Sequence, residues 1–490
     1  MRTDTAPPIR AQAVKSAAWY GVTRLWGQLL SWGVSILLAR LLMPADYGLF
    51  AIAVSITMLV EMLQDFGLGT AIVQRQDLTR PQMNAVFWVV VTASLVITTA
   101  TFLAADWISA FYAEPRLAWA LRILCLTFLL NSLGMVPYSL LTKALNLRHR
   151  SMADVSGTTV GSGAALVLAY LGFGVWALVL GQLTRSAVVN GMLFLLSRWT
   201  PGLAVTREGL GDVLLFGVRI ASMHIVGNLS PTVSVFILAR VLGGAAVGLF
   251  SMAQSLAEAP HRISTAIINQ VSFPVFSRLQ GQPEMLASYF LKISKYLAVI
   301  SLPVQVGLIL VASDLVPVLL SATWEAMVVP FQIICLESTV VVLTLTASPL
   351  LTALGRANLL LARSFLSVST MIAATLVGVP FGLTGVALAR LAAMVPLRGT
   401  LLLPCLWALK VPMRVYLGQL VSPMLATALM SGAVLTARHA FAADARPIER
   451  LGVSVGVGAV TYLLAILLLD RTLGSDLRDV AKDLFSTSKA

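Results

Sequence analysis

Charged and amide side chains recur at helical spacing inside otherwise apolar stretches of this sequence, and these are the residues able to do chemistry. Arg24, Gln28, Ser31 and Ser35 fall at i, i+4, i+7 and i+11, which is one face of a helix. Gln182, Arg185, Ser186 and Asn190 form a second stripe, and Gln254, Glu258, His261, Arg262, Thr265 and Asn269 a third. Arg219, His224 and Asn228 share another apolar run, and Glu61 and Asp65 sit one turn apart in a fifth. Guanidinium groups grip phosphate and carboxylate oxygens with two parallel bonds and stay charged at any relevant pH. Amides and hydroxyls can both donate and accept hydrogen bonds. The pattern points to recognition of an anionic group, with Arg24, Gln28, Arg185, Asn190, Arg219, His224, Asn228, Arg262 and Asn269 as the candidates. Glu61, Asp65 and Glu258 are the candidates for coupling to an ion.

Each stripe also has a plainer reading. Glu258 and Arg262 are spaced for an intrahelical ion pair. Arg122, Arg219 and Arg398 could extend to the membrane surface. Glu61 and Asp65 could neutralise Arg24, and a lone histidine such as His261 more often packs than binds. Arg24 and Arg185 stand out because each belongs to a wider polar face.

The elements that must position these residues are membrane helices. Of the 490 residues, 58% are apolar and 11% charged, and the mean hydropathy is +0.88. A soluble domain carries about 25% charged residues. Apolar windows of about 20 residues give about 14 spans: 17–39, 47–67, 84–105, 118–140, 153–171, 174–196, 211–238, 246–270, 291–312, 327–348, 359–379, 383–407, 416–437 and 451–469. The stretch from Asp314 to Glu325 reads as a loop or short interfacial turn. The net charge of +13 reads as the basic bias of inner loops, not as nucleic-acid binding. With the N-terminus inside, inner loops carry Arg75, Arg80, Lys143, Arg148, Arg150, Arg198, Arg278 and Lys410 among others. Outer loops carry only Arg40, Arg116, Arg240, Arg438, Arg446 and Arg450. Both termini are expected in the cytoplasm. The three cysteines, Cys125, Cys335 and Cys405, read as small buried apolar residues. The N-terminus lacks the features of a cleavable signal peptide.

An internal repeat organises the spans. ILLARLLMPADYGLFAIA (36–53) matches FILARVLGGAAVGLFSMA (236–253) without a gap, sharing LAR and GLF at corresponding places. GFGVWALVLGQL (172–183) is echoed by GLTGVALARL (382–391). Six spans per copy start both copies on one side of the membrane, a parallel repeat. The expected organisation is an all-α, two-lobe protein: residues 1–200 and 201–410 as six-helix lobes, 411–470 as two extra helices, and 471–490 as a cytoplasmic tail.

No phosphate-binding GxxxxGK[ST] loop, HExxH or Cys/His cluster is present, so no cofactor or metal is expected, nor an enzyme. The segments LxxADYGLF (41–50), DFGLGTAIVQR (65–75) and GFGVWALV (172–179) resemble bacterial oligosaccharide flippases. These form the polysaccharide transport branch of the multidrug/oligosaccharidyl-lipid/polysaccharide exporter superfamily. The resemblance covers about residues 10–410 and implies translocation of an undecaprenyl-diphosphate-linked oligosaccharide across the bacterial inner membrane by alternating access. It also implies work beside a polysaccharide polymerase and chain-length regulator. Related lipid II flippases place arginines in a central cavity, and Arg24 and Arg262 are similar in placement. Two other readings stay open: an ion-coupled drug exporter, which would favour an acidic lumen, and a membrane polymerase or ligase, which needs a larger outer loop. A scaffold for glycosyltransferases would tolerate substitutions on the polar faces.

Overall fold

The computed structural model describes residues 9–65, 68–75, 78–144, 146–206, 211, 231–440 and 446–470. Among them the secondary structure is helical, and ten stretches are long and apolar enough to cross a membrane. The contacts group residues into two compact units, Met1–Gly248 and Leu249–Ala490.

In the first unit α1 (Ile9–Leu41), α2 (Pro44–Asp65), α3 (Leu68–Gln74), α4 (Arg80–Tyr112), α5 (Arg116–Leu124), α6 (Leu126–Lys143), α7 (Leu147–Tyr170) and α8 (Val175–Ser197) follow in order. A shorter apolar helix, α9 (Pro231–Leu242), follows. The window expected at 118–140 divides at Cys125 into α5 and α6. Arg122, an isolated charge in the sequence, pairs with Asp106 at 2.5 Å and lies over the Phe102 and Trp119 rings. Its ionic partner is thus supplied by α4.

Small residues decide how closely these helices meet. A side chain on Gly161 of α7 would put its Cβ 2.6 Å from the Arg185 Cβ and 2.8 Å from the Gly181 carbonyl oxygen of α8. Gly181 meets Ala165 in the same way. Backbones that touch through such residues gain packing that bulkier side chains would block. The repeated GLF glycines have a related role. The first unit includes the opening turn of α10 (Gly244–Arg278). There a Cβ on Gly48 would overlap the Gly244 carbonyl oxygen, and one on Gly248 would overlap that of Pro44. The two matching glycines of the repeat therefore mark one backbone-to-backbone crossing.

The second unit continues with α11 (Pro283–Leu319), α12 (Val328–Leu343), α13 (Ala347–Ala353), α14 (Ala357–Gly378), α15 (Gly382–Ala408), α16 (Met413–Ala440) and α17 (Pro447–Leu469). The stretch Asp314 to Glu325, expected as a loop or interfacial turn, is helical as far as Leu319, the end of α11, and a 3-10 turn, Ala322–Met327, follows. The apolar run Asn358–Ala408 has 51 residues, about 76 Å of continuous helix and too long for one span. It folds back at Gly382, whose φ of 73° lies in the region glycine enters without cost. The result is the antiparallel pair α14 and α15.

Helices α16 and α17 pair with each other and pack on α11. Asp314 of α11 is buried and receives Arg438 of α16 at 2.7 Å and Arg450 of α17 at 3.3 Å. Toward the other end, Lys295 of α11 meets Asp470 at 2.6 Å, and Ser422 of α16 donates to the same carboxylate. Both ends of the α16–α17 hairpin are thus fastened to α11. Removing one partner of a buried pair costs about 3–5 kcal/mol because the other charge is stranded. Asp314→Ala is expected to lower the melting temperature in detergent. An unchanged melt would show that the apolar α16–α17 seam alone holds the hairpin.

Candidate functional site

Helices α1, α7 and α8 of the first unit, with Phe50 of α2, line a partly open chamber that carries polar groups. Helical spacing places Thr23, Gly27, Gln28, Ser31 and Ser35 of α1 on one wall. Helix α7 contributes Ser151, Asp154, Thr158 and Ser162, and α8 contributes Gln182 and Arg185. The volume is about 540 Å³, within the range of small-ligand sites. Val34, Leu38, Ala165 and Leu178 close one end with apolar surface. Hydroxyl and amide groups, one carboxylate and one guanidinium share the walls with apolar side chains. Asp154 lies within electrostatic reach of Arg185 and of Arg150, and Arg150 stacks over Tyr138 at 4.3 Å. The close α7–α8 seam at Gly161 brings Asp154 and Arg185 onto the same lining.

The structure places Gln28 and Arg185 on this chamber. Asn190 is elsewhere: it is buried and its amide donates to Asn131 Oδ1 at 3.1 Å and to the Ser186 carbonyl at 2.8 Å. It fits because Gly134 leaves room that a Cβ would fill. Ser186 donates to the same Asn131 oxygen at 2.6 Å, and the Asn131 amide donates to Glu61 Oε1 at 3.0 Å. Thr127 also points its hydroxyl at that oxygen, at 3.4 Å. A chain of hydrogen bonds therefore runs from Glu61 on α2 through α6 to α8, one residue from Arg185.

In the second unit Glu258 accepts from Gln254 at 2.7 Å and pairs with Arg262 at 3.2 Å. The intrahelical reading of that pair is the geometry observed, and Arg262 is half exposed. The side chains of Arg24, Asp65 and Asn269, and residues Arg219, His224 and Asn228, lie outside the described residues.

Sequence reasoning missed Asp154, Ser151, Thr158 and Ser162. Their signal was present: the SxxDxxxTxxxS spacing of 151–162 repeats at helical intervals. It was obscured because the apolar window at 153–171 opens on Asp154, which reads from sequence as a helix-end charge.

A family model described as polysaccharide biosynthesis protein matches residues 37–329, more than half of the chain. The lipopolysaccharide biosynthesis protein WzxC of Escherichia coli K12 is 26% identical over 329 residues, covering 67% of each chain. The succinoglycan biosynthesis transport protein ExoT of Rhizobium meliloti is 26% identical over 320 residues, 65% of each. Among solved structures, the lipid II flippase MurJ in an inward closed conformation superposes with a TM-score of 0.78 at 13% identity. That superposition covers 93% of this chain and 99% of the other. At that identity the likeness concerns the fold alone: a multi-pass, all-α architecture.

Proposed function

The chain belongs to the polysaccharide biosynthesis protein family, and from that premise we propose that it flips an undecaprenyl-diphosphate-linked oligosaccharide between leaflets. The direction is from the cytoplasmic to the periplasmic face of the bacterial inner membrane, with both termini in the cytoplasm. The chain is a multi-pass membrane protein and not an enzyme. One observation carries the reading: hydroxyls, amides and a guanidinium line a chamber inside apolar helices. Polar groups at that depth are costly unless they serve a partner or one another. Transport and biosynthesis of such polymers are what its relatives are named for, which supports the same cargo class here.

In this mechanism the hydroxyl and amide walls exchange hydrogen bonds with sugar hydroxyls, and Arg185 engages an acidic substituent or phosphate. Arg24, Arg219 and Arg262 are proposed to attract the same anion, with His224, Asn228 and Asn269 as further polar contacts. Segments 1–200 and 201–410 are the proposed moving lobes of an alternating-access cycle, with 411–470 added to them. A polymerase and a chain-length regulator would consume the delivered units.

Glu61 is the proposed coupling carboxylate. Among the described residues it meets only neutral donors, Asn131 and Thr127. A protonated Glu61 gains a donor while keeping one acceptor oxygen, so its hydroxyl can turn the Asn131 amide to accept from it, and with the amide the contact to Ser186 beside Arg185. Glu61→Gln fixes the neutral form. It is expected to remove the dependence of flipping on a proton gradient in proteoliposomes while leaving membrane abundance unchanged. Retained gradient dependence would exclude Glu61 as the coupling group.

The class itself is tested by analysing lipid-linked sugars in a deletion strain. Complete repeat units should accumulate on the carrier in the cytoplasmic leaflet. Normal carrier-linked sugars together with new drug sensitivity would instead support an ion-coupled drug exporter.

A further inference from the structure

Glutamine is costly to bury between apolar helices, because both ends of its amide lose water. Gln305 of α11 is nevertheless fully buried, and no other polar side chain occurs in the run LPVQVGL (302–308) around it. Its Nε2 donates to the Ala257 carbonyl of α10 at 3.0 Å. Its Oε1 is buried and receives no hydrogen bond. The amide is thus oriented by one backbone carbonyl on a neighbouring helix, at the expense of its own oxygen. A leucine or methionine would fill the same space without that loss, so packing alone does not account for the residue.

The carbonyl it holds lies at a weakened turn. Ala257 stands three residues before Pro260, in the interior of α10. Proline offers no N–H to the Leu256 carbonyl and its ring crowds that carbonyl. The helical ladder is one bond short there, and helices bend sharply at such places. The helix still runs on to Arg278.

Two ties cross this turn. The first is made by side chains of α10 itself. Glu258 accepts from Gln254 at 2.7 Å, one turn earlier, and pairs with Arg262 at 3.2 Å, one turn later. That ion pair straddles Pro260, and Arg262 is half exposed. The second tie is Gln305, which grips the peptide joining Ala257 to Glu258 and is shut away from solvent. An anion that reaches Arg262 competes with Glu258 for it and loosens the first tie. The second is untouched by such competition.

We propose that Pro260 is a hinge in α10 and that Gln305 is the positioning residue that sets its bend, and with it the direction in which Glu258 and Arg262 are presented. The assignment rests on the flippase reading for what Arg262 meets, and it deepens that reading. The cargo's anion draws Arg262 from Glu258, while Gln305 keeps the turn in place. Gln305 itself touches no cargo; it acts through the Ala257–Glu258 peptide.

The test reads the bend directly, by spin-label distances in full-length protein in nanodiscs. One label goes on Phe273→Cys of α10 and the reference label on Ile300→Cys of α11, both exposed positions; the three native cysteines are buried. Phe273 lies about 20 Å of helix beyond Pro260, so a change of bend is magnified there. Gln305→Leu should shift or broaden the wild-type distance. In a deletion strain it should lower export about three- to tenfold, the weight of one net hydrogen bond, at normal membrane abundance. Pro260→Ala restores the missing N–H and should give a single narrow distance that differs from wild type. In that background Gln305→Leu should change neither the distance nor export any further, a coupling that a double-mutant cycle measures. Gln305→Met, of similar length, repeats the test if the leucine variant folds poorly. Unchanged distances in the Gln305 variants, or the same loss of export with and without Pro260, overturn the proposal and leave Gln305 a packing residue. If a deletion strain shows no defect in polymer export, the flippase reading falls and the distances still decide the hinge.

Discussion

Arg185→Ala is expected to reduce polymer export about ten- to one-hundred-fold while the protein reaches the membrane in normal amounts. The size follows from what the side chain can offer. A hydrogen bond to a charged group is worth about 1.5–3 kcal/mol, and each 1.4 kcal/mol is a factor of ten in affinity. Arg185 is the guanidinium lining the chamber of the first unit among the described residues. Arg185→Lys keeps the charge but not the two-pronged geometry and should recover only part of the activity. Asp154→Asn gives the contrasting case. It removes the carboxylate that offsets Arg185, so affinity for an acidic sugar should rise and release should slow. The measurement is export in a deletion strain complemented by each variant, with membrane abundance quantified alongside. Export at wild-type level in Arg185→Ala would remove this chamber from the transport path.

How much of this was legible beforehand depends on the kind of interaction. Helices were readable because apolar windows report the solvent directly, and the break in the 358–408 run was readable because Gly382 interrupts it. Gln28 and Arg185 were readable because helical spacing alone puts them on one face. Asn190 carries the same stripe signal as Arg185, yet its amide is consumed by Asn131 on another helix. A stripe says which residues share a face; it does not say whether that face meets a cavity or a neighbouring helix. Asp154 failed for the converse reason, since a charge near the end of an apolar window looks like a boundary. The fastening of α16 and α17 through Asp314 and Asp470 is equally invisible in one dimension. It joins residues more than a hundred positions apart, and neither carboxylate belongs to a stripe.

The second large effect is expected from a residue with no side chain. Gly161→Leu should abolish export and lower the melting temperature, because the α7–α8 seam cannot open without moving the chamber wall. A Cβ at that position already stands 2.6 Å from the Arg185 Cβ and 2.8 Å from the Gly181 carbonyl oxygen. One of those neighbours is backbone, so the strain cannot be shed by a rotamer change. Overpacking costs about 1–3 kcal/mol, and more where the backbone must shift. The same shift turns Arg185 away from Asp154. Gly163, two residues along the same helix, meets nothing within 4 Å, and Gly163→Ala should be neutral or slightly stabilising through helix propensity. Thermal melts of both variants, read beside export, separate a packing effect at the seam from a general intolerance of α7 to substitution. Equal behaviour of the two variants would mean that the close approach of α7 and α8 does not set the geometry of Arg185, and the link from small residues to a shaped anion contact would be broken at its first step.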